Sequence, residues 1–351
     1  MKQSFVIGNR SIGPDEYPYV VAEMSANHLG SLERALRIIE VAKRAGADAV
    51  KLQTYTADTI TIDHDGPGFR IKGGLWDGRT LHDLYRGAAT PYEWHEALFH
   101  KARDLGITLF SSPFDPAAVD FLEKLGCPVY KIASFEMVDL PLIRYAAATG
   151  KPLIISTGMA SLEEIGEAVE AARSGGCREL ALLHCVSGYP TPADEINLRT
   201  IPDLARRFGV VTGLSDHTRS RTVSVAAVAV GATLLEKHVT LSRQEDGPDS
   251  QFSVEPSELE ETINDCRVAY QALGSATYER VPSERANAVF RRSLYVVENM
   301  NAGDIITSRN IRSIRPGLGL PPKYLGDVIG RAIARSVPRG TPLSWDLIAD
   351  S

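Results

Sequence analysis

The chain has 351 residues, 44% of them hydrophobic and 23% charged, with a formal net charge of −6. This composition excludes disordered, collagen-like and low-complexity chains and leaves room for one large domain plus a small one. The negative balance argues against a nucleic-acid-wrapping surface, although a local cationic pocket for a small anion stays open.

Short runs rich in Val, Ile and Leu alternate with amphipathic helical stretches almost to residue 273. The runs are Tyr19–Met24, Ala49–Tyr55, Thr108–Phe114, Val129–Phe135, Pro152–Gly158, Leu180–Val186, Val210–His217 and Thr233–Thr240. Between the first two, Ser31–Ala45 sets Leu32, Ala35, Leu36, Ile39 and Ala42 at helical spacing. Eight strand–helix units in roughly 250 residues predict an α/β fold, a closed (β/α)8 TIM barrel. An open doubly wound sheet is weaker, because no GxGxxG follows the first run. Thr56 to Ala89 breaks the rhythm as a long excursion holding Gly66, Gly68, Gly73, Gly74 and Gly78. Loops of that length within a compact domain are usually functional or mobile. After Gln271, the stretch Ala272–Glu284 has a linker composition. Short β-like runs follow at Ser293–Glu298, Asn301–Asp304, Ser313–Arg315 and Gly330–Ala334. The organisation expected is a barrel over residues 1–273, a linker over 274–290 and a small β-rich domain over 291–351.

No apolar run approaches the roughly 20 residues that span a bilayer. The N-terminal MKQSFVIGNRSIG lacks a signal-peptide pattern, so a cytoplasmic protein is expected. Cys127, Cys177, Cys185 and Cys266 form no CxxC pair and read as reduced, buried thiols. Cys185, near a strand end, is a weaker nucleophile candidate, since no activating arrangement is readable around it.

Barrel active sites occupy the carboxyl ends of the strands, which makes polar residues at i, i+2 spacing there informative. Lys51 and Gln53 share a strand face, as do Ser215 and His217, and Glu236 and His238. Lys131 and Ser156 follow the same logic. Two interior lysines joined by the hydroxyls of Ser112, Ser134, Ser156 and Ser215 favour a phosphate or carboxylate pocket over structural ion pairs with Glu23 or Glu136. A Schiff-base lysine is a further use. His217 and His238, from neighbouring strand ends, could share one divalent ion or be two hydrogen-bonded barrel histidines; spacing leaves these level. His184 reads as structural, and His64, His82, His95 and His100 as solvated. Glu23, Glu136 and Asp249 are carboxylates near strand ends, fit for acid–base work or for holding sugar hydroxyls.

The segments AEMSANHLG at 22–30, KLQT at 51–54, SSPFD at 111–115 and YKIASFE at 130–136 resemble the nonulosonate (sialic acid) synthase family. So do STGMAS at 156–161, LLHCVSGYPTP at 182–192, GLSDHT at 213–218, EKHVT at 236–240 and GPDSQFS at 247–253. The stretch at 292–322 resembles that family's antifreeze-like (SAF) domain, and residues 73–99 are most similar to its pseudaminic acid branch. The resemblance implies condensation of phosphoenolpyruvate with an aldehyde-form acetamido sugar, here 2,4-diacetamido-2,4,6-trideoxy-L-altrose, with release of phosphate. It implies Mn2+ or Mg2+ on His217 and His238, and phosphoenolpyruvate on Lys51, Ser112, Lys131, Ser134, Ser156 and Ser215. It puts the sugar on Gln53, Glu136, Tyr189, Asp249 and Arg315, and Glu23 near the reacting centre. Ser112 stands where the family has threonine, and the excursion lacks the sialic acid branch's sugar-contacting asparagine. A domain-swapped homodimer is also implied, with neither nucleic acid nor membrane as a partner. The competing readings are sialic or legionaminic acid synthesis or another phosphoenolpyruvate aldolase on the same barrel, a Schiff-base lyase, and a non-catalytic carbohydrate- or ice-binding module.

Overall fold

The structure, a computed structural model, describes residues 5–349, so residues 1–4 and 350–351 of the expected domain ranges lie outside it. The chain divides into two compact units, Met1–Gly274 and Ser275–Ser351. In the first, two short strands that the sequence reading missed, β1 (Phe5–Ile7) and β2 (Arg10–Ile12), pair antiparallel. Each is only three residues long, too short to show a period. Eight strands follow: β3 (Tyr19–Glu23), β4 (Ala49–Thr54), β5 (Thr108–Pro113), β6 (Tyr130–Ile132), β7 (Leu153–Ser156), β8 (Leu180–Cys185), β9 (Val211–Asp216) and β10 (Leu234–His238). They pair in parallel and close into a barrel in which β10 joins β3. The strands are buried on both faces, which is why they read as nearly continuous apolar runs.

Local chemistry sets the helix limits. Ser31 caps Leu32–Ala45 by accepting from the Arg34 amide at 3.2 Å, and Gly46, at φ +88°, ends it. The observed strands stop short of the expected runs at their carboxyl ends. Val129–Phe135 shrinks most, because Ser134–Glu136 leaves the sheet as a 3-10 turn. The polar residues there line an opening rather than continuing the ladder. The excursion is folded as well: a helix at Ala57–Ile60, an antiparallel bridge between Arg70 and Thr80, and a helix at Leu81–Ala88.

In the second unit, β11 (Ser293–Val296) pairs antiparallel with β12 (Ile311–Ile314) over a core that includes Leu294, Val296, Ile311, Ile333 and Leu343. Asn301–Asp304 is a turn, not a strand, closed by the Asn301 amide on Asp304 Oδ2 at 2.7 Å. At 330–334 the β character is limited to bridges from Ala332 and Ile333. Within the expected linker, Pro282–Arg285 and Ala286–Phe290 form short helical turns. No helix of the described residues is long and apolar enough to cross a membrane.

Gly213 lies where β9 meets β10. A Cβ there would come 1.9 Å from Leu234 O, a backbone atom that cannot step aside. Gly213→Ala is expected to cost about 3 kcal/mol, read as a lower urea midpoint with unchanged slope.

Candidate active site

Side chains along a barrel strand alternate between interior and helix layer. Lys51 of β4 and Lys131 of β6 thereby reach the interior and are 3% and 2% exposed. A buried ammonium is strongly unfavourable unless paired, and both are paired. Lys51 Nζ lies 3.0 Å from Glu23 Oε2 and 3.4 Å from Glu236 Oε1, and Lys131 Nζ lies 3.2 Å from Glu236 Oε1. Ser215 Oγ donates to the same Glu236 oxygen at 3.1 Å. The ion pairs considered from sequence are thus half right: Glu23 does pair with Lys51, but Lys131 takes Glu236 and not Glu23 or Glu136. Ser112 sits beneath, its Oγ 3.4 Å from Lys51 Nζ.

The charges are unequal in strength. Burial raises the pKa of Glu23 despite Lys51. Burial also acts on Glu236, but Lys131, Lys51 and His238 outweigh it and hold that carboxylate down. Burial opposes the Lys51 ammonium, yet Glu23 and Glu236 raise its pKa on balance, while burial wins at Lys131 and lowers it. Glu236 is therefore the firm anion between two cations, and the pull on Glu23 toward neutrality leaves positive charge for an incoming anion.

A cavity of about 380 Å³ opens beside this cluster. All the expected site residues of the barrel line it except Glu23 and Ser112. Glu23 is tied to the lining by Gln53, whose Nε2 donates to Glu23 Oε1 at 2.9 Å and to Ser25 Oγ at 3.0 Å. Ser156 Oγ, Glu136 Oε2 and His238 Nδ1 are closed off from solvent and have no hydrogen-bond partner. Burying such an atom unpaired costs about 1–3 kcal/mol, which a bound ligand would recover. Burial pushes the Glu136 carboxyl up to about 7, against the pull of Lys131 and Lys51.

His217 directly follows β9 and His238 ends its neighbour β10, with ring centroids 5.3 Å apart. His217 Nδ1–H donates to Val186 O at 2.9 Å, which leaves Nε2 a lone pair. His238 Nδ1 stands 3.8 Å from Asp249 Oδ2, and the Tyr189 ring lies 4.4 Å from that of His217. One residue before each histidine, on the opposite strand face, Asp216 and Lys237 pair at 2.8 Å. Lys237 also donates to Thr218 O at 2.7 Å and Ser224 to Asp216 at 2.6 Å, which locks the two strand ends together.

Other expectations are corrected. His82 and His95 are buried rather than solvated: His82 Nε2 bonds Asp58 at 3.0 Å and His95 Nε2 bonds Thr54 Oγ1 at 2.8 Å. His64 and His100 are exposed, and His184, bonded to Ile196 O, is outside the cavity lining. The four cysteines are free and buried. Cys185 does have an activating neighbour, with Sγ 3.8 Å from His217 Nδ1; burial would raise its pKa, but His217, Ser134 and Lys131 together outweigh burial and lower it. Strand alternation could not show that contact, since it crosses from β8 to β9. Arg315 belongs to the second unit, where it is exposed. Sequence reasoning left out Glu236 as the common anion and Trp76 as part of the lining. The Glu236–His238 spacing was the available signal for the first.

The NeuB family model matches residues 38–278 and the SAF domain model residues 291–349. The chain is 42% identical to a pseudaminic acid synthase of Campylobacter jejuni, covering 96% of this chain and 98% of that one. It is 41% identical to the pseudaminic acid synthase of Helicobacter pylori, over 95% and 98%. In structure it is similar to the citrate complex of the N-acetylneuraminic acid synthetase of Leptospira borgpetersenii. There the TM-score is 0.73 at 31% identity, covering 82% of this chain and 95% of that one. A parallel barrel with a polar mouth defines a class of enzymes rather than one reaction. Within that class, this chain belongs to the NeuB family of sialic-acid-type synthases.

Glu236→Gln would leave two buried ammoniums short of an anion. It is expected to lower stability by about 3 kcal/mol, with Lys131→Met in the same chain restoring part of the loss. Urea denaturation of the single and double variants checks this.

Proposed function

We propose that this enzyme is a pseudaminic acid synthase. It joins phosphoenolpyruvate and water to the open-chain aldehyde of 2,4-diacetamido-2,4,6-trideoxy-L-altrose, giving pseudaminic acid and phosphate. One observation carries the reading: two ammoniums and three unpartnered buried polar atoms, from separate strand ends, face a single cavity. The 42% and 41% identities to proteins named pseudaminic acid synthases support that acceptor.

Lys51 and Lys131 offset the phosphate and carboxylate charges, and Ser134 and Ser156 donate to their oxygens, with Ser215 held on Glu236 and Ser112 beside Lys51. Gln53, Tyr189 and Asp249 hold the acceptor. The methylene carbon of phosphoenolpyruvate forms the new bond to the aldehyde carbon, and Glu136 passes a proton to the aldehyde oxygen. Positive charge grows on the enol carbon, and Glu23, joined to the lining through Gln53, guides the water that traps it. Water adds there and loses one proton, the C–O bond to phosphate breaks with its electron pair leaving on phosphate, and the remaining hydroxyl proton leaves as the ketone forms.

The histidine pair fits a divalent cation. Two imidazoles sharing one ion at metal–nitrogen distances of about 2.1 Å put their centroids roughly 5 Å apart, and His238 Nδ1 is a bare buried nitrogen. Among the described residues no set of three His, Cys, Asp or Glu side chains is arranged for a metal. Water or substrate oxygens would therefore complete the shell. Mn2+ or Mg2+ held there supplies Lewis-acid polarisation of the acceptor carbonyl.

Phosphate release assayed against a panel of acetamido sugars should be fastest with the trideoxy-L-altrose acceptor, stop with a chelator and return on adding Mn2+ or Mg2+. Faster turnover of another acceptor would overturn the acceptor, and activity surviving chelation would overturn the metal. His217→Ala and His238→Ala should each lose at least about 100-fold in kcat/KM, without rescue by added metal.

Glu136 adds a pH dependence. Its carboxyl sits at about 7 against an ordinary 4.5, so the stability from its bound proton is complete below about pH 4.5 and lost as pH rises through about 7. Glu136→Gln should therefore gain stability over wild type as pH rises from about 5 to 8. The same change should remove a limb near pH 7 from the kcat/KM profile. Parallel wild-type and variant profiles would contradict the assignment.

A further inference from the structure

The cavity has two unlike sides. One carries the ammonium, carboxylate, imidazole and hydroxyl groups of the strand ends. The other is supplied by the excursion over residues 56–89, whose lining residues include Ile60, Ile71, Leu81 and Leu84, with the rings of Trp76 and Tyr85. The excursion is not poor in charge: every Asp, Lys and Arg in it is exposed, and none lines the cavity. Ile60, Ile71, Leu81 and Leu84 turn inward together, while Ile62 and Leu75 stay exposed.

That face is also held firmly. The Ile71 amide donates to Arg79 O at 2.9 Å and the Leu81 amide to Phe69 O at 2.8 Å, so residues 69–81 form a two-stranded ribbon. Gly73, Gly74 and Gly78, all at positive φ, turn its tip. Trp76 Nε1 donates to Pro248 O at 3.1 Å, and its ring lies 5.8 Å from that of Tyr189. The ribbon is thus latched beside Asp249.

An aliphatic wall gives a hydroxyl no partner once water is displaced, whereas a methyl group gains from the same contact. A 6-deoxy sugar ends in a methyl group where its common counterpart ends in a hydroxymethyl. We propose that the wall formed by Ile60, Ile71, Leu81 and Leu84 reads the terminal methyl of the acceptor and selects 6-deoxy acetamido sugars over their 6-hydroxylated counterparts. This rests on the reading of the cavity as an acetamido-sugar site and carries it to the carbon that sets specificity.

The test is phosphate release by the full chain with phosphoenolpyruvate and two acceptor pairs, each a 6-deoxy sugar with its 6-hydroxy counterpart. One pair is the 2,4-diacetamido-L-altrose series, the other the 2-acetamido-D-mannose series. The wild type is expected to favour the 6-deoxy member by about 10- to 100-fold in kcat/KM. Ile71→Thr and Leu81→Thr, which put a hydroxyl into the wall, should cut that ratio by about 3- to 10-fold, while Ile71→Val holds it. Because the readout is a ratio within one preparation, loss of folded enzyme cancels. A wild-type ratio near one, or variants that slow both members equally, would overturn the proposal. Turnover of the mannose series alone would overturn the assigned acceptor, and the ratio within that series would still decide the wall. Turnover of neither series would overturn both.

Discussion

Two ammonium groups inside a barrel interior impose the condition that the rest of this molecule meets. Lys51 and Lys131 come from strands that are not neighbours, and one carboxylate, Glu236, serves both. Glu236 stands on the last strand of the barrel and Glu23 on the first, and the two strands meet only where the sheet closes. Closure therefore has an electrostatic consequence beyond burying apolar surface: in an open sheet Glu236 could not reach across to either lysine, which would leave Lys131 unpaired and Lys51 with Glu23 alone. The register follows the same need, setting Glu23 beside Lys51 and Ser215 beside Glu236.

The cluster is balanced without being saturated. Glu236 is held ionised by its cations, Glu23 is drawn toward its neutral form by burial, and Ser156, Glu136 and His238 each present an atom with no partner. A site left in this condition is folded for a guest. The Asp216–Lys237 pair behind the histidines works in the opposite sense: fully bonded and facing the helix layer, it fixes the strand ends so that the imidazoles need not be fixed by each other.

The excursion divides the labour further. The strand ends bring charged and titratable groups, while the ribbon at 69–81 adds apolar surface and carries its own charges outward. Its position after β4 lets it reach the cavity without interrupting the barrel, since loops at the carboxyl ends of strands vary freely while the sheet beneath stays closed.

The barrel was legible in the sequence because strands buried on both faces must be continuous apolar runs, and because Lys51/Gln53, Ser215/His217 and Glu236/His238 repeat at the two-residue period of a strand. The family's motifs at the strand ends were legible for the same reason, as short strings that each occupy one strand end and its turn. What spacing along a chain cannot express is which strand stands opposite which. The sharing of Glu236 between two lysines, the approach of Cys185 to His217, the burial of His82 and His95, and the inward turn of Ile71 and Leu81 all depend on contacts across elements. By itself the sequence determined the eight-strand alternation and the kind of group at each strand end, because those are local periodicities. Only the tertiary structure decided who pairs with whom and which side of the cavity is apolar, because Coulomb attraction and desolvation act through space between residues far apart along the chain.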